Sequence, residues 1–249
     1  LLFSTLFPYT TLFRSAIREK TELPLVFDNS VKGTAMANID FLKTKDINRH
    51  NIAFLQYGNT MHFVVTNLND PIVSYDNRTN FVDKMKINPY SDRTCPCGRR
   101  GCVESELTPS ATMSKLKEVF SAEKTPFLYE AARGSFENVN QDMITMAYEK
   151  DDKAVKEILN GELTLLAVLL NNLYFSTNPQ KIVLHQFKFQ NEKAFQKLKD
   201  AVTEIGGALV SSKIELSIIE DKHRFLSGCA LAIRELFFNR GGFDTSSNN

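Results

Sequence analysis

The stretch that most constrains the fold is the run from Ala154 to Leu184. Residues 154–175 carry apolar side chains first on one face and then, in the second half, all the way round, which predicts a helix enclosed by protein. Thr177-Asn178-Pro179 ends it, because a proline drives the residue before it out of the helical region. Ile182, Val183 and Leu184 then read as a strand too short and too apolar to face water. A buried helix followed at once by a buried strand predicts an α/β fold in which helices cover a sheet.

The flanking segments fit that layout. Leu25, Val26 and Phe27 read as a short strand, Asp28-Asn29-Ser30 as a turn, and the small-residue run through Ala35, Met36 and Ala37 as a helix. Residues 52–57 and 62–66, separated by Gly58-Asn59-Thr60, predict a hairpin, and residues 72–75 a further short strand. Residues 88–110 hold Pro89, Pro96 and Pro109 and three cysteines, and predict a structured loop without regular elements. Apolar spacing predicts helices around residues 113–120 and 143–148. An amphipathic helix over 194–205 should stop at Gly206-Gly207, followed by a strand over 214–219 and a closing helix over 225–238.

Composition removes several classes. With 30 Lys+Arg against 29 Asp+Glu the net charge is +1, so the chain has no overall charge with which to seek nucleic acid or a membrane surface. At 43% hydrophobic residues it can bury a sizeable core. The longest apolar stretch, residues 163–175, is broken by Asn171 and Asn172 and is shorter than the about 20 residues of a bilayer span, so no membrane helix is expected. Four cysteines are too few for a disulfide scaffold, which favours a reducing, cytoplasmic setting. The opening residues 1–15 read as a non-native leader, since the run Phe7-Pro8-Tyr9-Thr10-Thr11-Leu12-Phe13-Arg14-Ser15 resembles a translated sequencing adapter.

Three of the cysteines fall in Cys95-Pro96-Cys97-Gly98-Arg99-Arg100-Gly101-Cys102-Val103-Glu104. Three thiols on a tight, glycine-containing loop can supply three corners of a tetrahedral site, and Zn2+ is the ion expected on Cys95, Cys97 and Cys102. The pattern C-x-C-G-x-x-G-C-x-E resembles the signature of the ROK family, which groups sugar-responsive transcriptional repressors with sugar kinases. Weaker resemblances run through Met85-Lys86-Ile87-Asn88-Pro89, Asn178-Pro179-Gln180-Lys181-Ile182-Val183 and Ser227-Gly228-Cys229-Ala230. The resemblance implies an actin-like (ribonuclease H-like) ATPase fold, with a partial first lobe and a complete second lobe. Residues 16–50 would be the remnant of the N-terminal lobe, 51–238 the C-terminal lobe with its metal loop, and 239–249 a flexible tail.

The resemblance also marks where kinase chemistry would sit. A sugar hydroxyl needs a carboxylate to accept its proton, and family kinases place an Asp directly after an Asn in the strand-turn-helix segment. Here that position is Ser30, whose hydroxyl cannot take the proton, and Asp28 stands two residues away. The glycine-rich phosphate stretch aligns with Tyr57-Gly58-Asn59-Thr60-Met61-His62-Phe63, where Met61, His62 and Phe63 should fill the room that phosphates require. A second glycine pair is replaced by His185-Gln186, and the sugar-gripping E-x-G-H motif falls on Phe81-Val82-Asp83-Lys84. No catalytic residue is therefore expected, and Asn29 and Glu104 remain as ligand-binding positions.

The histidine of that motif is the family's usual fourth zinc ligand. Lys84 cannot coordinate in its place, which leaves Asp83, Asp92, His62 or water to complete the site. His50, His185 and His223 read as ordinary surface or helix-terminus residues, and Arg99-Arg100 as a solvated face. The expectation is the effector-binding and oligomerisation part of a catalytically silent ROK-type regulator of sugar metabolism. It would form a homodimer, bind a sugar or sugar phosphate, and reach DNA only through an upstream helix-turn-helix. An active hexose kinase and a zinc-stabilised dimerisation scaffold are the alternatives.

Overall fold

The computed structural model describes residues 14–26, 30–41, 52–58, 60–66, 82–186 and 192–239. They belong to two compact units, one formed by residues 1–43 with 219–249 and the other by residues 44–218. The predicted strand over 72–75, Asp28, Asn29, His50, Phe81 and the tail beyond 239 lie outside the described residues.

In the first unit, α1 (Ser30–Phe41) packs on a helix near the end of the chain, α8 (Phe225–Ile233). The two approach closely because their facing residues are small. A Cβ added to Gly33 would come within 2.8 Å of the Ser227 carbonyl oxygen, and the hydroxyls of Thr34 and Ser227 share a hydrogen bond of 2.9 Å. Leu25 and Val26, expected in a strand, are in none. The closing helix is regular only to Ile233 and continues as a π-helix over Arg234–Asn239.

The second unit is built on a sheet of order β2-β1-β3-β4. The predicted hairpin forms, with β1 (Ile52–Gln56) antiparallel to β2 (His62–Thr66). Strand β3 (Lys181–His185) lies parallel to β1, with Phe54 opposite Val183, and β4 (Ile214–Leu216) lies parallel to β3. The long crossover from β2 to β3 carries α2 (Val103–Leu107), α3 (Pro109–Val119), α4 (Pro126–Ala131), α5 (Gln141–Glu149) and α6 (Lys153–Thr177). Helix α7 (Glu192–Ser212) joins β3 to β4.

Helix α6 is the enclosed helix that the sequence predicts. Val155, Leu159, Leu163, Leu166, Leu170 and Leu173 are buried and share one core with Ala53, Leu55, Ile182 and Leu184 of the sheet. At 25 residues it is longer than expected and is, by length and composition, apolar enough to cross a bilayer. Its apolar residues are instead used against the sheet and neighbouring helices. Asn178 caps it in the left-handed conformation, with φ of 42° and its N–H donating to Tyr174 O at 2.7 Å.

Of two expected chain breaks, one is corrected and one is met. Residues 88–110 are not free of regular structure, because α2 and the start of α3 lie within them. Thr108 caps α3 by accepting from Ala111 N at 3.3 Å, with Pro109 at its first turn, where a missing N–H costs nothing. At Gly207 the backbone leaves the helical region (φ 81°, ψ 168°), so the regular helix that starts at Glu192 stops at the glycine pair as predicted, and a second helical segment runs on to Ser212. Gly206 is required for packing, since a Cβ there would lie 2.4 Å from Asn171 Oδ1 on α6.

Candidate metal centre and adjoining cleft

The cysteine loop is stitched by its backbone before any side chain is considered. Gly101 O accepts from Ile87 N at 2.9 Å and Asn88 N at 3.1 Å, and Cys95 N donates to Arg99 O at 2.7 Å. Gly98 and Gly101 have φ of 83° and 69°, a region that side chains with a Cβ avoid. At Gly101 space forbids one as well, because a Cβ would fall 1.8 Å from Asn88 O. Cys102 sits at the N-cap of α2, so the last thiol is fixed to a helix.

This backbone brings the three predicted thiols together. The Sγ atoms of Cys95, Cys97 and Cys102 all lie within 4.8 Å of one another, and those of Cys97 and Cys102 are 3.7 Å apart. Two thiolates bound at about 2.3 Å to one tetrahedral ion are held about 3.8 Å apart. The spacing therefore fits a thiolate-bound ion, and the three cysteines could hold a metal ion. Of the candidate fourth ligands among the described residues, none of Asp83, Asp92 or His62 places an atom within 4.8 Å of all three sulfurs. Asp92 accepts from Arg100 at 3.3 Å, and His62 shares a hydrogen bond of 2.7 Å with Thr60.

Charge is arranged unevenly round the thiols. Cys95 is buried, donates to Glu104 Oε2 at 3.1 Å, and burial pushes its thiol up to about 12. Cys102 is also raised by burial. Cys97 is exposed, and a hydrogen bond with the Arg99 guanidinium brings its thiol down to about 6. Arg99 also donates to Lys84 O at 2.8 Å, so it braces the loop and is not a merely solvated residue. Lys84 pairs with Glu104 and lies 3.4 Å from Asp83 Oδ2. Its hydrogen bond with Glu104 holds that carboxyl below its usual range and raises the Lys84 ammonium.

Glu104 also lines a polar cleft of about 690 Å³, together with Ser91, Arg93, Ser110, Ser114 and Glu118. Arg93 and Glu118 bridge it through an ion pair of 2.6 Å. Beneath the cleft lies a buried network that the sequence reading missed. Glu162 of α6 accepts from Thr112 at 2.8 and 2.9 Å and pairs with Lys115 at 3.2 Å. Lys115 also donates to Glu106 O at 2.6 Å and lies 3.6 Å from the Glu106 carboxylate. The signal was present, because Glu162 is a carboxylate on the apolar face of a helix expected to be enclosed.

The turn that aligns with a phosphate loop is different. Met61 is fully buried and Phe63 packs against the same core, so both side chains are held within the protein. Tyr57 is buried and its hydroxyl donates to Leu107 O at the end of α2; burial, then Glu162, raises it well above its ordinary value. His62 is the member of the three that stays out of the core, bonded to Thr60. His185, expected at the surface, is buried at the end of β3, where its ring shares a hydrogen bond of 2.9 Å with Ser217 and lies 5.5 Å from the Phe54 ring. Gln186 has φ of 54°, so its backbone keeps a left-handed conformation at the position where the resemblance expects glycine. Ser30, aligned with the catalytic base, is exposed at the start of α1. Asn29 lies outside the described residues.

The sequence pattern that defines the ROK family matches residues 79–222, more than half of the chain and the whole of the cysteine loop. The chain belongs to the ROK family. Solved ROK structures share its fold, an actin-like ATPase architecture of which this chain contains a part. It is similar to a ROK family glucokinase from Streptomyces griseus, solved with glucose and AMPPNP, with a TM-score of 0.68, 15% identity, and coverage of 86% of this chain and 70% of that one. It is similar to a ROK family protein from Streptococcus pneumoniae TIGR4 solved with sucrose, with a TM-score of 0.66, 12% identity, and coverage of 86% and 67%. A ROK family transcriptional regulator, a homolog of the E. coli MLC protein, matches with a TM-score of 0.66, 16% identity, and coverage of 86% and 53%. No curated protein sequence matches the chain.

Proposed function

We propose that this ROK protein is a ligand-sensing and oligomerising regulator of sugar metabolism that has lost phosphoryl transfer. The observation that carries the reading is Ser30 at the position of the proton-accepting carboxylate. A serine hydroxyl at its ordinary acidity cannot accept the proton of an attacking sugar hydroxyl. The absence of glycines at Met61, His62 and Phe63 points the same way, since a phosphate cradle needs backbone N–H groups that a ligand can approach closely.

Cys95, Cys97 and Cys102 would hold a Zn2+ ion, with water as the fourth ligand, and the ion's contribution would be structural, fixing the loop against α2. Glu104, and by the family resemblance Asn29, would contact the effector, a sugar or sugar phosphate. The polar cleft beside Glu104 supports a polyhydroxylated ligand, because serine hydroxyls, an arginine and carboxylates can match its donors and acceptors. Binding would shift a homodimer between two arrangements, in the cytoplasm, and DNA would be reached through a segment upstream of residue 16.

The test has two arms. ADP release in the presence of ATP and a panel of aldohexoses is expected to stay at the buffer rate; turnover that Asp28→Ala abolishes would overturn the silent reading. Thermal melting against sugars and sugar phosphates is expected to give a specific, saturable rise in Tm. A flat screen would favour a zinc-stabilised scaffold without a small ligand.

A further inference from the structure

The three thiols of the loop are not equivalent, and the difference points to a covalent modification. Cys95 is buried and already engaged with Glu104 Oε2 at 3.1 Å. Cys102 is buried and fixed at the N-cap of α2. Cys97 is exposed, 3.7 Å from Cys102, and followed by Gly98, around whose added Cβ there is no atom within 4 Å. The pair therefore combines a thiol that a solute can reach, a second thiol behind it, and open space beside the first at Gly98. A disulfide needs the sulfurs at about 2.05 Å, a closure that a rotation of the exposed Cys97 side chain can supply.

We infer that Cys97 and Cys102 form a reversible disulfide when the protein meets a peroxide, and that Cys95 takes no part in it. Cys97 sulfur attacks one oxygen of hydrogen peroxide, the O–O bond breaks, and a sulfenic acid and one water result. Cys102 sulfur then attacks the Cys97 sulfur; the S–S bond forms as the S–O bond breaks, and the hydroxyl leaves with the thiol proton as a second water. Two thiols are oxidised by two electrons in all, and the peroxide is reduced to two waters. The crosslink would also remove two of the three sulfurs from any ion bound there, coupling the redox state of the loop to metal affinity. The inference rests on the positions of the thiols and does not require the metal reading to hold.

The experiment uses the full chain carrying Cys229→Ser, which removes the other exposed thiol. Metal content is first measured by elemental analysis, and the protein is then reduced, treated with a chelator and exposed to one equivalent of hydrogen peroxide. Intact mass should fall by two hydrogens and recover on reduction. Trypsin cleaves after Arg99 and Arg100, between the two cysteines, so the disulfide should join two peptides that separate on reduction. The junction should persist in Cys95→Ser and vanish in Cys97→Ser. Joined peptides in Cys97→Ser at the parent level would overturn the assignment, as would accumulation of oxygen adducts, or of crosslinks between chains, in place of the internal link. A protein that carries no metal yet forms the link refutes the zinc reading alone; one that carries metal but forms no link refutes this inference alone.

Discussion

The turn between β1 and β2 and the cysteine loop both align with functional segments of the family, and they have met opposite fates. At the turn, glycine positions carry side chains that have found structural work. Met61 and Phe63 point into the core, and Tyr57 ties the end of β1 to α2. At the loop, the glycines persist with positive φ, and the thiols stand at the spacing of a tetrahedral site. A turn with side chains at these positions gains packing at the expense of backbone access. A segment whose shape is set by steric exclusion at a glycine, and by three converging donors, cannot make that exchange.

Variants can break this contrast. No variant is expected to have a larger effect than Glu162→Ala, which takes the carboxylate acceptor from Thr112 and leaves Lys115 with Glu106 alone; breaking this buried pair should cost about 3 kcal/mol in urea unfolding, the low end for such a pair because Glu106 still faces Lys115. Gly101→Ala drives a methyl into Asn88 O and should cost about 3 kcal/mol and abolish stoichiometric metal uptake. Met61→Ala moves the turn part-way back toward a cradle, and should lower stability by about 2–3 kcal/mol while leaving metal content and ATP binding, measured by calorimetry, unchanged. If Met61→Ala gained nucleotide affinity, the contrast between the two segments would collapse.

Two finer measurements sharpen it. Alkylation of the metal-free protein by iodoacetamide, followed by peptide mass spectrometry, should show Cys97 reacting with a midpoint near pH 6. Cys95, raised to about 12, should stay inert at neutral pH, and Arg99→Leu should move the Cys97 midpoint upward. The smallest change is expected from Lys84→Gln. Glu104 is depressed in the folded state, so its contribution is present above the unfolded carboxylate value and lost as pH falls through the folded one. Removing Lys84 should thus lower stability at neutral pH by under about 1 kcal/mol, because the pair is partly exposed, and should flatten the acid limb of the Tm profile.

How much of this was readable from the residues depends on what kind of force decides each feature. Periodicity and proline placement located α6 and β3, because burial of apolar side chains leaves a regular trace. The family membership was legible in the ten residues from Cys95 to Glu104 through their resemblance to the family signature. Helix α2 was missed because five residues give too short a period to detect, and α3, predicted around 113–120, was begun too late because the cap formed by Thr108 and Pro109 was read as loop composition. The second helical segment beyond Gly207 was not predicted, and the close approach of Gly206 to Asn171 on α6 is one that no local pattern reveals. At the site, the thiols and Lys84 were legible, whereas the inward turn of Met61 depended on which face of β2 the core would occupy.

Gln186 sets a backbone cost against a side-chain contact. Its main chain holds a left-handed turn, which costs an ordinary L-residue roughly 1 kcal/mol or more, while its side-chain oxygen accepts from Gln56 Nε2 at 3.2 Å. Glycine in its place would relieve the backbone cost and at the same time release Gln56, so the two effects oppose each other within a single residue.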